Sequence, residues 1–174
     1  MTVAYDMRCA SILYWGQAIQ LLQPMHKALC SEFGFSNIVD RDVEPLLETS
    51  ILQDHHQLHV PDALFVLAER TVTSHEDLVL FLAPLRLVTP FGYKIAGETR
   101  GKCIVVSSLV VTSQNISRLL RHEMGHFFGL SEHLGCVMSP YAIEDPTFCQ
   151  TCVSTLHRLG VNWNALNPIV SDSC

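Results

Sequence analysis

Apolar positions along the chain fall into compact runs and helically spaced runs, and their order predicts alternating strands and helices. The first, Ala10 to Trp15, is short and nearly unbroken and reads as a buried strand. Ala18, Leu21, Leu22, Met25, Ala28, Leu29 and Phe33 then recur at intervals of three and four, and Gly34 closes this helix as a C-terminal cap. Asn37 to Val43 reads as a second strand, which opens a mixed α/β layer. Between Pro45 and Val60 the pattern weakens. The histidines there, His55, His56 and His59, lack a neighbouring carboxylate or cysteine and read as part of a solvated loop. A helix is predicted from Pro61 through Leu64, Leu67 and Ala68.

Leu78 to Leu82 reads as a central strand, and Leu85 to Val88, beyond Pro84, as a connector or edge, because proline cannot donate to a central ladder. Phe91 to Gly101 reads as a glycine-punctuated loop and Cys103 to Ser107 as the next strand. A further helix follows, with Ser113 or Asn115 as its cap, an apolar side of Ile116, Leu119, Leu120 and Phe127, and Gly129 at its end. Val153, Leu156, Leu159 and Val161 predict a last helix ending near Gly160, after which Asn162 to Cys174 is weakly patterned. His26 projects from the first helix as a surface histidine.

Size and charge narrow the possibilities. The 174 residues make one domain, 1–174, with an α/β lobe over 1–129 and a smaller lobe over 130–174. A chain of this size buries about two-thirds of its unfolded surface and needs no staples to fold. A net charge of -6 and a pI near 5.8 argue against nucleic-acid partners and a membrane-surface role. No apolar run reaches the roughly 18 residues that span a bilayer, and Met1 to Arg8 lacks the build of a secretion signal, so a cytoplasmic protein is expected. Seven cysteines, an odd number, fit metal thiolates plus buried free thiols better than disulfides, with Cys9, Cys30, Cys103 and Cys174 as the structural thiols.

The chemistry concentrates in His122-Glu123-Met124-Gly125-His126. On a helix, two histidines four apart lie on one face, about 40° apart around the axis, and two neutral imidazoles can share one zinc. A carboxylate beside them can take a proton from a water whose pKa zinc lowers from 15.7 towards roughly 7. Glu123 is the candidate base for such peptide hydrolysis.

Further on stand Glu132, His133, Cys136-x-Met138 and Cys149-x-x-Cys152, with Met138 inside Val137-Met138-Ser139-Pro140-Tyr141. Over residues 118 to 152 the chain resembles the archaemetzincins, zinc proteases of the metzincin clan that hold a second, structural zinc beside the active site. The resemblance implies an α+β zincin with a mixed twisted sheet, an active-site helix and a zinc-knuckle C-terminal part. It also implies a Met-turn at Met138, two zinc ions per monomer, and a peptide or protein substrate laid along an edge strand in the Phe91 to Ser107 region. It sets neither the peptide preference nor the oligomeric state.

Two departures bear on the ligands. The family has His then Cys where this chain has Glu132 and His133, and its spacings to the cysteines are longer. Aligned without a gap, Glu132 joins His122 and His126 at the catalytic zinc, like the aspartate of the snapalysin family, and His133 joins Cys136, Cys149 and Cys152. Aligned with one insertion, His133 is the catalytic ligand and the structural site lacks a donor. A catalytically impaired metal-containing peptide-binding protein of the same fold is the alternative to a peptidase.

Overall fold

The core is built on a five-stranded sheet in the order β2-β1-β4-β8-β7, formed by Cys9–Tyr14 (β1), Asn37–Asp42 (β2), Leu78–Ala83 (β4), Gly97–Arg100 (β7) and Cys103–Ser107 (β8). The computed structural model describes residues 9–43, 58–59, 61–71, 75–140, 147–161 and 163. The first four strands of this order run parallel, and β7 lies antiparallel on the β8 edge. Parallel neighbours need a crossover, and α1 (Leu22–Phe33) supplies it between β1 and β2.

Both faces of the sheet are covered, so β4 and β8 are buried at every position, as continuous apolar runs require. Leu78, Leu80, Leu82, Ile104 and Val106 face one apolar cluster, shared with α1, α3 (Ile116–Phe127) and α4 (Gln150–Arg158). Val79, Phe81, Cys103 and Val105 face the other, shared with Leu64, Phe65 and Ala68 of α2 (Asp62–Thr71). Each fully buried leucine among these contributes about 1.5–3 kcal/mol relative to exposure. The first cluster joins residues on either side of Gly129, packing Leu120 and Met124 with Met138, Phe148 and Leu156.

Two further contacts fix α3. Arg121 Nε donates to Glu32 Oε2 of α1 at 2.8 Å, and Trp163 packs edge-on against Phe33 and Phe128 at 5.0 and 4.9 Å. Ile116, Leu120 and Met124 are the fully buried apolar residues of α3, with Leu119 and Phe127 partly buried against the same cluster, and the ionisable Glu123 and Arg121 are buried too.

The structure corrects several local expectations. The first helix is not continuous: Gly16–Leu21 is a 3₁₀ turn and the α-helix begins at Leu22, because Pro24 has no N–H to bond back along the helix and fits only its first turn. Leu85 to Val88 is not a connector or edge. Arg86–Val88 (β5) is the middle strand of a second, three-stranded sheet with Leu58–His59 (β3) and Lys94–Ile95 (β6), and Pro84 sits in the break that separates it from β4.

His59 therefore lies in a strand, whereas His55 and His56 lie outside the described residues. Phe91 to Gly101 contains β6 and β7 in place of a loop. Asn115 starts α3 without capping it by its side chain, whose oxygen instead accepts from the Thr112 N–H at 2.7 Å. Cys103 is buried but Cys30 is exposed, and Cys174 lies outside the described residues. Among the described residues, no helix is long and apolar enough to cross a membrane.

Candidate metal centre

Helix α3 carries His122, Glu123 and His126, and its end shapes what lies around them. Gly129 takes the left-handed conformation (φ 79°), with Leu130 N–H bonded to Gly125 O and Gly129 N–H to His126 O, both at 2.9 Å. This pairing is a Schellman motif. It turns the chain so that the Leu130 carbonyl accepts from His126 Nδ1 at 3.0 Å. His122 Nδ1 donates likewise to the Val137 carbonyl at 2.8 Å.

A carbonyl can only accept, so both Nδ1 atoms carry the proton and both Nε2 atoms present lone pairs. Those two Nε2 atoms lie 3.1 Å apart, and Glu132 Oε1 stands 4.0 Å from His126 Nε2. Two lone pairs and a carboxylate converging on one point make a donor set for a cation. The nitrogen spacing suits tetrahedral zinc, whose usual Zn–N length implies about 3.3 Å between nitrogens. Burial holds His122 below the ordinary imidazole range, against its bond to Val137, which further favours the neutral, ligating form.

Glu123 sits beside this pair, almost wholly buried. Burial pushes its carboxyl up to about 7, with Glu98 and Glu132 adding to the rise and the Thr99 hydroxyl opposing it. Thr99 Oγ1 donates to Glu123 Oε2 at 2.6 Å. His122, Glu123 and Glu132 line an open cleft of about 340 Å³, together with Ile95, Gly97, Val111, Arg118, Leu119 and Pro140, and all four residues, His126 included, line a second pocket shared with Thr99.

Next to it, His133 Nε2 lies 3.1, 3.3 and 3.5 Å from the sulfurs of Cys136, Cys149 and Cys152. The Cys149–Cys152 and Cys136–Cys152 sulfur pairs are 3.7 and 4.0 Å apart. Ordinary Zn–S and Zn–N lengths predict tetrahedral edges of about 3.8 Å between sulfurs and about 3.5 Å between nitrogen and sulfur. These five edges fit that figure closely. Burial alone would raise the Cys149 thiol, but bonds from the Cys152 N–H and with His133, Cys152 and Cys136 bring it down to about 6, while burial and its neighbours raise Cys152. The hydrogen bond with Cys149 raises His133.

Glu132 thus lies with the histidine pair and His133 with the cysteines, and within each group all ligand atoms fall within 4.8 Å of one another. One short turn links the groups. Ser139 N–H bonds to Cys136 O at 3.0 Å and His133 N–H to Met138 O at 3.2 Å, while Val137 between them holds His122. Met138 is fully buried against Gly125, where an added Cβ would lie 2.2 Å from its sulfur. Neither Thr99 nor Gly97 is singled out by spacing or periodicity: their partner Glu123 is more than twenty positions away, and they fall in a stretch whose glycines predict a loop, although the resemblance puts an edge strand in that region.

No protein-family model and no curated protein matches the sequence. Solved structures do match the fold. An archaemetzincin from Methanopyrus kandleri aligns with a TM-score of 0.72 at 21% identity, over 91% of this chain and 98% of that one. An archaemetzincin from Archaeoglobus fulgidus, complexed with malonate, aligns at 0.55 and 16% identity, over 84% and 99%. A zinc-dependent peptidase from Methanocorpusculum labreanum aligns at 0.51 and 17%, also over 84% and 99%. The likeness read from residues 118 to 152 thus extends to the whole architecture: the chain has the archaemetzincin fold, a mixed α/β sheet with the His122–His126 helix beneath its antiparallel edge.

Proposed function

We propose that the chain is a zinc-dependent metallopeptidase acting on a peptide or protein. The observation that carries the reading is the convergence of the His122 and His126 lone pairs with the Glu132 carboxylate at a cleft where Glu123 is also held. On this reading His122, His126 and Glu132 hold a catalytic zinc, and His133, Cys136, Cys149 and Cys152 hold a structural one. Zinc at the first site supplies a Lewis acid that acidifies a water and polarises a carbonyl.

The chain's own residues do the rest. Glu123 takes a proton from the attacking water and returns it to the leaving amine. The antiparallel edge strand β7 offers backbone groups along which an extended peptide can lie. Met138 is the Met-turn, an apolar floor under the histidines and not a ligand, since its thioether is a soft donor beside nitrogen and oxygen ligands.

Glu123→Ala is the direct test. The variant should retain both zinc ions and lose hydrolysis of a random peptide mixture by about 10²- to 10⁴-fold, the usual contribution of a positioned general base. Cleavage by the variant at the wild-type rate overturns the role.

A further inference from the structure

Strand β7 presents two residues to helix α3. Side chains alternate along a strand, so Gly97 and Thr99 share one face while Glu98 and Arg100 share the other. That second face is occupied by its own ion pair, Arg100 to Glu98 at 2.7 Å. On the first, Gly97 provides space: a Cβ there would stand 2.9 Å from Glu123 Oε1 and 3.1 Å from the Val105 carbonyl. Thr99 provides a donor, its hydroxyl 2.6 Å from Glu123 Oε2 and 3.1 Å from the Glu123 carbonyl. One hydroxyl proton serves one acceptor, and the shorter contact to the carboxylate takes it.

We infer that Thr99 is a positioning residue for Glu123: it anchors one carboxylate oxygen so that the other, which lies against Gly97, is the one that exchanges the proton. The inference rests on the peptidase reading above. A buried carboxyl with one oxygen fixed has a single rotamer for the other, whereas loss of the anchor frees the group to turn about its last bond. Misplacement of a reacting group by about 1 Å costs on the order of 10²-fold in rate.

The test compares Thr99→Val, which keeps the shape and removes the hydroxyl, with Thr99→Ser, which keeps the hydroxyl. Both should bind zinc as wild type does. Thr99→Val should lose about 10- to 100-fold in kcat with KM nearly unchanged, and Thr99→Ser should recover most of it. Thr99→Ala, which adds no bulk, gives the same comparison should the valine variant fold poorly. Wild-type kcat in the hydroxyl-free variants, or an equal loss in Thr99→Ser, overturns the inference.

A second readout does not need turnover. In protein labelled with carbon-13 at the glutamate carboxyls, the Glu123 resonance is identified by its disappearance in Glu123→Gln. It should shift in Thr99→Val and stay in place in Thr99→Ser. An unmoved resonance in Thr99→Val sinks the anchor. A wild-type chain that cuts no peptide sinks the peptidase reading alone.

Discussion

The two donor groups differ in closure, although one turn builds them both. His133, Cys136, Cys149 and Cys152 come from two short segments, meet at tetrahedral distances and leave no side of the figure open. His122, His126 and Glu132 supply three donors, one of them half exposed, and line a pocket with the buried acid Glu123 beside them. Structural zinc sites are closed and catalytic ones keep a position free. The contrast also implies a dependence, because Val137, which orients His122, stands next to Cys136 and before Met138. The closed group holds the wall of the open one.

Breaking the closed group should have the largest effect. Cys152 is buried, and Cys152→Ala should lose one zinc per chain and about 4 kcal/mol or more of stability, since metal binding to such a site is itself folding free energy. Metal analysis and chemical denaturation read the two quantities together. Full stability with one zinc missing would show that the cysteines hold nothing the fold depends on.

The shared turn comes next. Met138→Ala should open a cavity under Gly125 at about 2–5 kcal/mol, whereas Met138→Leu, close in volume, should cost less than about 1.5 kcal/mol and keep both zincs. A folded Met138→Leu protein that cannot hold the zinc needed for hydrolysis would make the sulfur a ligand. The smallest effect concerns thiols away from both groups. Cys30 is exposed and should react with a thiol reagent in the native state, whereas Cys103, buried and pushed up to about 12, should react only on unfolding.

The same shift carries a pH sign. An unfolded Cys103 ionises near its ordinary 9.0 and a folded one near 12, so the unfolded chain holds fewer protons in that window. Stability from this group is full below pH 9 and declines as pH rises through the window. A denaturation series that separates Cys103→Ala from wild type in the opposite direction would contradict it.

What the sequence made legible followed from local rules. Periodicity over residues 10–43 and 116–129 depends on nearest neighbours along the chain, and there the strands, the bodies of the helices and their glycine ends are legible, while the 3₁₀ start of the first helix and the uncapped start of α3 are not. The histidine pair is a spacing of four on one helix, hence readable too. The second sheet was hidden because β3 and β6 are two residues long and their pairing with β5 is non-local. Strand β7 is missing from the periodicity for a different reason, although the resemblance puts an edge strand in its region: Gly97 and Thr99 face Glu123 and leave no apolar alternation to detect. The division of Glu132 from His133 was open in the sequence because adjacent residues differ by no periodicity. It became visible only once the turn through Cys136 to Ser139 was in place.

Cobalt substitution separates the two donor groups. Thiolate–cobalt charge-transfer absorption reports the cysteine group alone, and hydrolysis reports the other. His133→Ala should lose or shift the thiolate band, while Glu132→Ala should keep the band unchanged and lose hydrolysis. A His133→Ala protein with an intact thiolate band and no hydrolysis would assign His133 to the histidine pair and Glu132 to neither group.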